Sequence, residues 1–213
     1  MTSTGFEPER AIAERLVAVA ARGEDGKFGP FEIAPPSHPE FYGRGHALYS
    51  TAGDCMRFLR MFLNTGALDG ARVLSAAGAA TRLAHQIGDV RVGKLTSAAP
   101  PVSADFDAFR GTPKTHSFGF MGIEQDVPGI RCAGSQGSAG VLHNRYWFDP
   151  AKTVAATIPM QPPAVREAAV AVARRAVRAC GLRGALNPAP RFCPARLSGW
   201  AGRIAGRRWS TRR

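Results

Sequence analysis

The sequence predicts an α+β fold, because its helical and β-rich patterns are segregated along the chain rather than alternating. Helix-period apolar spacing falls before residue 87 and again over 164–180, whereas short β-branched and aromatic runs crowd into 117–160. The bulk numbers agree with a folded protein: 213 residues, 45% apolar and 21% charged, which excludes a wholly disordered chain. No apolar run approaches the length of a membrane span.

From the start, Pro8 suits a first helical turn and Ile12, Leu16, Val19 and Ala20 recur at helical spacing, so a helix is expected over 8–22, stopped by Gly23. Asp25-Gly26 marks a turn into an extended piece over 27–33, and the prolines and glycines of 34–49 leave room only for irregular chain. Thr51 followed three residues later by Asp54, just ahead of Met56, Phe58, Leu59, Met61, Phe62 and Leu63, is a capping-box variant opening an amphipathic helix that Asn64-Thr65-Gly66 closes. Leu68-Asp69-Gly70-Ala71 reads as a tight turn. Ser75 is placed to cap a second helix through about Gln86.

Residues 88–113 read as a long loop with one strand near 90–95. Beyond it, Ser117–Glu124, Gly129–Ala133, Ser138–Phe148 and Val154–Met160 are the β-rich runs, most simply three antiparallel strands separated by glycine- and proline-bearing turns. Val165, Ala169, Val172 and Ala176 then share a helix face that could lie on that sheet, and Gly181 ends the pattern. Residues 187–213, rich in Pro, Gly and Arg, read as a loosely ordered basic extension to a first domain over 1–186.

The formal charge of +12 is unevenly placed. Residues 161–213 hold twelve arginines against the single acid Glu167, leaving sixteen basic and fifteen acidic residues for 1–160, so the body is nearly neutral. Cys55, Cys132, Cys180 and Cys193 are widely spaced, and neither they nor the five histidines form a metal-ligand pattern. No cofactor is therefore expected. Met1-Thr2-Ser3-Thr4 lacks the basic and apolar parts of a signal peptide, which makes the cytoplasm the default expectation.

Gly134-Ser135-Gln136-Gly137 lies one residue off a nucleophile elbow, but an elbow needs a helix directly after its serine and Val141, Tyr146, Trp147 and Phe148 are strand residues. A glycine turn between strands is the better reading. The same glycines lack the Gly-Lys-Ser/Thr ending of a phosphate loop.

Three stretches carry a family resemblance. Met1-Thr2-Ser3-Thr4-Gly5-Phe6, then Gly45 through Asp54 with Arg57-Phe58-Leu59-Arg60-Met61, then Ala133 through Gly140 with Tyr146-Trp147-Phe148-Asp149-Pro150, resemble in order the C-terminal part of the serine β-lactamase and penicillin-binding-protein-like hydrolases. The class C-like carboxylesterases look most similar. The resemblance covers about 1–180 and implies a β-lactamase/transpeptidase-like fold, an antiparallel sheet flanked by helices, here incomplete at the N-terminal side. It also implies ester or amide hydrolysis through an acyl-enzyme, in which a serine in Ser-x-x-Lys attacks a carbonyl while the lysine and a Tyr-x-Asn or Ser-x-Asn element manage protons.

Those elements are missing here. Three residues before Lys27, Lys94, Lys114 and Lys152 stand Glu24, Arg91, Gly111 and Asp149, so there is no Ser-x-x-Lys. No tyrosine or serine has asparagine two residues on. No catalytic residue is therefore assigned within this chain. What the resemblance leaves is a substrate wall: Ser138-Ala139-Gly140 stands where relatives carry Lys-Thr-Gly or Trp-x-Gly, with Gly140 leaving room for substrate and the Val141 N–H as an oxyanion donor. Lys114-Thr115-His116 does not qualify, since its third residue is not glycine.

The expectation is a fragment of a serine hydrolase, inactive alone, whose partners are a small-molecule ester or amide and an upstream half of the same domain. The competing expectation is a non-enzymatic module whose arginine-rich tail binds nucleic acid or anionic membrane, with affinity falling steeply as salt rises.

Overall fold

The computed structural model describes residues 1–7, 13–22, 25, 27–31, 38–43, 45, 47–98, 104–140 and 142–161. Val141, the helix expected over 164–180 and the basic extension 187–213 lie outside the described residues.

A five-stranded antiparallel sheet organises the structure. Its strands are β5 (Lys114–His116), β6 (Met121–Ile123), β7 (Gln136–Ala139), β8 (Arg145–Asp149) and β9 (Val154–Ile158), hydrogen-bonded in that order. Ahead of it, among the described residues, come two small hairpins, β1 (Ala20–Arg22) with β2 (Phe28–Pro30) and β3 (Ala67–Leu68) with β4 (Ala71–Arg72), and the helices α1 (Ala52–Leu63) and α2 (Ala76–Leu83).

The N-terminal helix needs correcting. Of the helix expected over 8–22, residues 8–12 lie outside the described residues and Ala13 is helical, but 14–15 form a turn and the far end is strand β1, registered Ala20↔Pro30 to Arg22↔Phe28. β-branched Val17 and Val19 with the Asp25-Gly26 turn signal favour a hairpin over the weak helical period. The sheet is also larger than the three strands expected. Lys114-Thr115-His116 is itself a strand, and the run Ser138–Phe148 breaks into two strands at the hairpin bend after Ala139. Gly129–Ala133 contributes only the isolated bridge Val127↔Arg131, and the strand placed near 90–95 reduces to Leu95↔Phe106.

Both described helices begin where their caps place them. Thr51 Oγ1 accepts the Asp54 N–H at 3.2 Å and Ser75 Oγ accepts the Gly78 N–H at 2.9 Å. The Asp54 carboxylate accepts from elsewhere: the Ser3 N–H at 2.9 Å and the Thr4 hydroxyl at 2.8 Å, tying the N-terminal segment to the start of α1. The same tie is seen in the bridge Gly5↔Tyr49. α1 ends as expected, with Thr65 and Gly66 both at positive φ and the Gly66 N–H on the Met61 carbonyl. Asp69 and Gly70 also have positive φ, the primed turn that suits a two-residue hairpin loop. α2 stops at Leu83, three residues short of its expected end.

α1 lies across one face of the sheet. Phe62 stacks on Phe148 and meets Phe120 edge-on at 5.2 Å, while Phe120 meets Phe148 at 4.9 Å. Leu59, Met61, Leu63 and Leu83 complete the buried cluster. Each of these side chains contributes roughly 1.5–3 kcal/mol on burial, so the core holds α1 and β6–β8 in one piece. Gln136 enters the same core as a polar link: its Nε2 donates to the Leu83 carbonyl at 2.6 Å, and its Oε1 accepts the Ser117 hydroxyl at 2.9 Å. β7 is thereby fixed to the end of α2.

Candidate functional site

The register assigns each residue of β7 to a face. Gln136 pairs with Phe148 and Ser138 with Tyr146, while Tyr146 pairs with Thr157 and Phe148 with Ala155 across β8 and β9. Since Phe148 packs on α1, Ser138, Tyr146 and Thr157 form a cross-strand row on that same face. Cys55, one turn into α1, closes the row from above, its Sγ accepting from Thr157 Oγ1 at 3.5 Å.

Tyr146 is the ionisable member of this row. Burial pushes its phenol up, a hydrogen bond with Ser138 pulls it partly back, and Cys55 adds to the rise. The group is therefore a neutral phenol at physiological pH, able to donate or accept. Cross-strand pairing alone brings Tyr146 to Ser138, which is why sequence spacing could not find it.

The Gly140 end of the proposed wall differs from the expectation. Gly140 donates its N–H to the Asn144 carbonyl at 2.8 Å and accepts the His143 N–H at 3.0 Å, so it belongs to the β7–β8 bend rather than to a continuing strand. Asn144 Oδ1 in turn accepts the Met160 N–H at 2.9 Å, which braces the bend against the exit of β9. The Gly140 N–H is thus already used. Ala139 and Gly140 are exposed, Ser138 is half-buried, and a Cβ placed on Gly140 would come no nearer than 3.7 Å to Asn144. A methyl group there would make only ordinary van der Waals contact with Asn144.

Gly137 is different in kind. A Cβ there would stand 2.5 Å from the Tyr146 carbonyl oxygen and 3.0 Å from Trp147 Cβ, so the two strands touch backbone to backbone. This residue serves packing.

Ser135 is no elbow. It is 1% exposed, it is followed directly by β7, and its Oγ has no hydrogen-bond partner among the described residues. A nucleophile must reach its substrate, and this one is sealed. Lys114 does not stand in for the missing base either. It is 5% exposed and its Nζ contacts Asp107 Oδ1 at 2.8 Å on the sheet face away from α1. Among the described residues no group of three His, Cys, Asp or Glu could hold a metal ion, and no helix is long and apolar enough to cross a membrane.

No protein-family profile matches the chain. Protein Rv1367c of Mycobacterium tuberculosis is 39% identical over 80 residues, a match spanning 35% of this chain and 19% of that protein. Among solved structures, simvastatin synthase from Aspergillus terreus, unliganded, superposes with a TM-score of 0.62 at 14% identity, covering 85% of this chain and 46% of the other. A mutant of that synthase gives a TM-score of 0.61 at 16% identity, covering 81% and 43%. The chain therefore spans less than half the length of the solved structures that it matches. The architecture is that of the β-lactamase/transpeptidase fold, of which this chain contains a part.

Proposed function

We propose that this chain forms the sheet-side wall of an acyl-transfer site of the serine hydrolase type, acting on a small-molecule ester or amide, and that it carries no nucleophile of its own. The observation that carries this reading is the placement of Ser138 and Tyr146 on the helix-facing side of β7–β8, next to the open Ala139-Gly140 end, in a chain without Ser-x-x-Lys. In that arrangement Ser138, Ala139 and Gly140 line the passage of the acyl group. Tyr146 holds the Ser138 hydroxyl and keeps the wall polar.

Acyl transfer requires an activated hydroxyl and a base at hydrogen-bond distance, and removing one member of such a unit costs several powers of ten in rate. The chain would therefore become competent only when a further stretch of the same fold supplies the serine, the lysine and the tyrosine. The partial coverage of the synthase structures supports such a stretch.

The test is direct. Purified chain is incubated with p-nitrophenyl esters, a chromogenic β-lactam and a fluorophosphonate probe. No turnover above buffer and no labelling are expected. Labelling at Ser135 or Ser138 that disappears in the alanine variant would overturn the proposal, because the nucleophile would then lie within the chain.

A further inference from the structure

The two edges of the sheet are finished differently. Hydrogen bonds alternate along an antiparallel pair, so every second residue of an edge strand turns its N–H and C=O away from the sheet. On β5 the phase is fixed by the Glu124 N–H on the Pro113 carbonyl and the Ser117 N–H on the Phe120 carbonyl, which leaves Lys114 and His116 facing outward. Both of their carbonyls are taken, by the Val92 N–H and the Gln86 N–H respectively, each at 3.0 Å. The chain thus closes this edge itself.

At the other edge the phase follows from the Gly140 N–H on the Asn144 carbonyl. It makes Ser138↔Tyr146 and Gln136↔Phe148 hydrogen-bonded pairs of β7 and β8, and hence Arg145↔Ile158, Trp147↔Ala156 and Asp149↔Val154 the hydrogen-bonded pairs of β8 and β9. Ala155 and Thr157 therefore point their N–H and C=O groups outward, and none of these groups has a backbone partner among the described residues. The open run is bounded at both ends. Thr153 has a positive φ of 58°, and Pro159, the next outward position, has no N–H to offer.

An edge strand that stays alone is ordinarily guarded by charge, proline or a bulge. β9 reads Val-Ala-Ala-Thr-Ile, regular in register along its whole length, half-buried at every residue and without a charged side chain. That is the make-up of a strand with neighbours on both sides and cover on both faces. Since the chain spans less than half the length of the synthase structures, the rest of the fold is a source for the second neighbour.

We propose that the outer edge of β9 accepts a strand: an extended, uncharged segment from the further stretch of the same fold pairs with Ala155 and Thr157 and carries the sheet on beyond β9. The source of that segment rests on the acyl-transfer reading, whereas the open edge rests on the hydrogen-bond phase alone. On the α1 side the added strand continues the row Ser138, Tyr146 and Thr157. It lies three strand spacings, about 14 Å, from Ser138. At that distance it anchors the stretch that brings the nucleophile and does not itself bring one to Ser138.

The experiment follows amide exchange in the full chain, residue by residue, with short end-blocked peptides as probes: one alternates valine and threonine, one is the same peptide N-methylated throughout, and one alternates lysine and glutamate. In dilute chain alone, the Ala155 and Thr157 amides should exchange about tenfold or more faster than those of Val154, Ala156 and Ile158, which point to β8. The valine–threonine peptide at millimolar concentration should slow Ala155 and Thr157 about tenfold, the protection given by about ten times its Kd. The N-methylated peptide has no donors for the edge and the lysine–glutamate peptide has the wrong side chains for half-buried faces, so neither should slow them. Outward amides already slow in dilute chain would overturn the proposal, because the chain would then fill its own edge. Slowing that grows with chain concentration and needs no peptide would overturn it in favour of a second copy. No slowing by the valine–threonine peptide, or equal slowing by either control, would overturn it as well. Labelling at Ser135 or Ser138 by the fluorophosphonate probe, by contrast, removes the acyl-transfer reading and leaves the exchange pattern of β9 as it was, so the two failures are told apart.

Discussion

Replacing Gly137 by alanine should separate what the β7 glycines do for packing from what they do for a substrate. The added methyl would sit 2.5 Å from the Tyr146 carbonyl oxygen, 3.0 Å from Trp147 Cβ and 3.1 Å from Trp147 Cα. An ordinary carbon–oxygen contact is about 3.3 Å or more. The strands must therefore part locally by close to an ångström, and the atoms met are backbone or the root of a side chain, which cannot rotate aside. Overpacking of this kind costs about 1–3 kcal/mol, and each ladder hydrogen bond that it stretches about 0.5–1.5 kcal/mol more. A total near 3 kcal/mol corresponds to roughly a hundredfold change in an opening equilibrium.

Native-state amide exchange reads this locally and needs no cooperative global melt. Amides of β7 and β8 should exchange about a hundredfold faster in G137A, with those in the middle of α1 much less affected. Gly140→Ala is the matched control. Its methyl would meet Asn144 only at 3.7–3.8 Å, so the fold should absorb it within about 0.5 kcal/mol. Equal exchange in the two variants, or protection in G137A matching that of the unchanged chain, would refute the strand register from which both faces were assigned.

Two further outcomes follow from the same contacts. Asp54 is held below the usual carboxylate range, first by the Ser3 N–H and then by the Thr4 hydroxyl. The folded form thus favours the ionised carboxylate, and this contribution is full above about pH 4 and lost as pH falls through the lowered value. Acid should release residues 3–5 from Tyr49 and α1, an effect absent in D54N; exchange of the Gly5 and Tyr49 amides as a function of pH checks it. Gln136→Leu leaves the Leu83 carbonyl and Ser117 hydroxyl without their buried partner, which should cost about 1–3 kcal/mol. That cost should show as faster exchange in the last turn of α2, and protection unchanged there would mean that the network is not what ties α2 to β7.

How far the sequence could be read depended on whether a signal was local. Thr51, Ser75 and Asp69-Gly70 act within four residues, so the helix starts and the β3–β4 turn could be placed from the chain alone. The Ser138–Phe148 run could not be divided that way. Its break depends on Gly140 and Asn144 exchanging a hydrogen bond across a bend, and β-rich composition is the same on either side of it. Lys114-Thr115-His116 shows the reverse case: a short polar segment becomes a strand because β6 offers it an edge, with Thr115 registered on Gly122. Tyr146 joined Ser138 for the same non-local reason. That the chain has no Ser-x-x-Lys, by contrast, was legible, because the motif is a spacing within one helical turn.

The two faces of the β7–β8 hairpin explain why its sequence alternates as it does. On the α1 side the chain needs Gln136, Ser138, Tyr146 and Phe148, residues that bury an apolar core while keeping hydroxyls paired. On the other side it needs Gly137 small enough for strand contact and Trp147 large enough to stack under Arg131. A one-residue slip would exchange these sets, setting Trp147 and Arg145 against α1 and opening the aromatic cluster. The backbone contact at Gly137 blocks close pairing of any bulkier residue at that point, and the Gly140–Asn144 bend fixes the loop length. The Ser138–Tyr146 row and the Trp147–Arg131 stack on the opposite face thus share one determinant of position, the register of a four-residue strand.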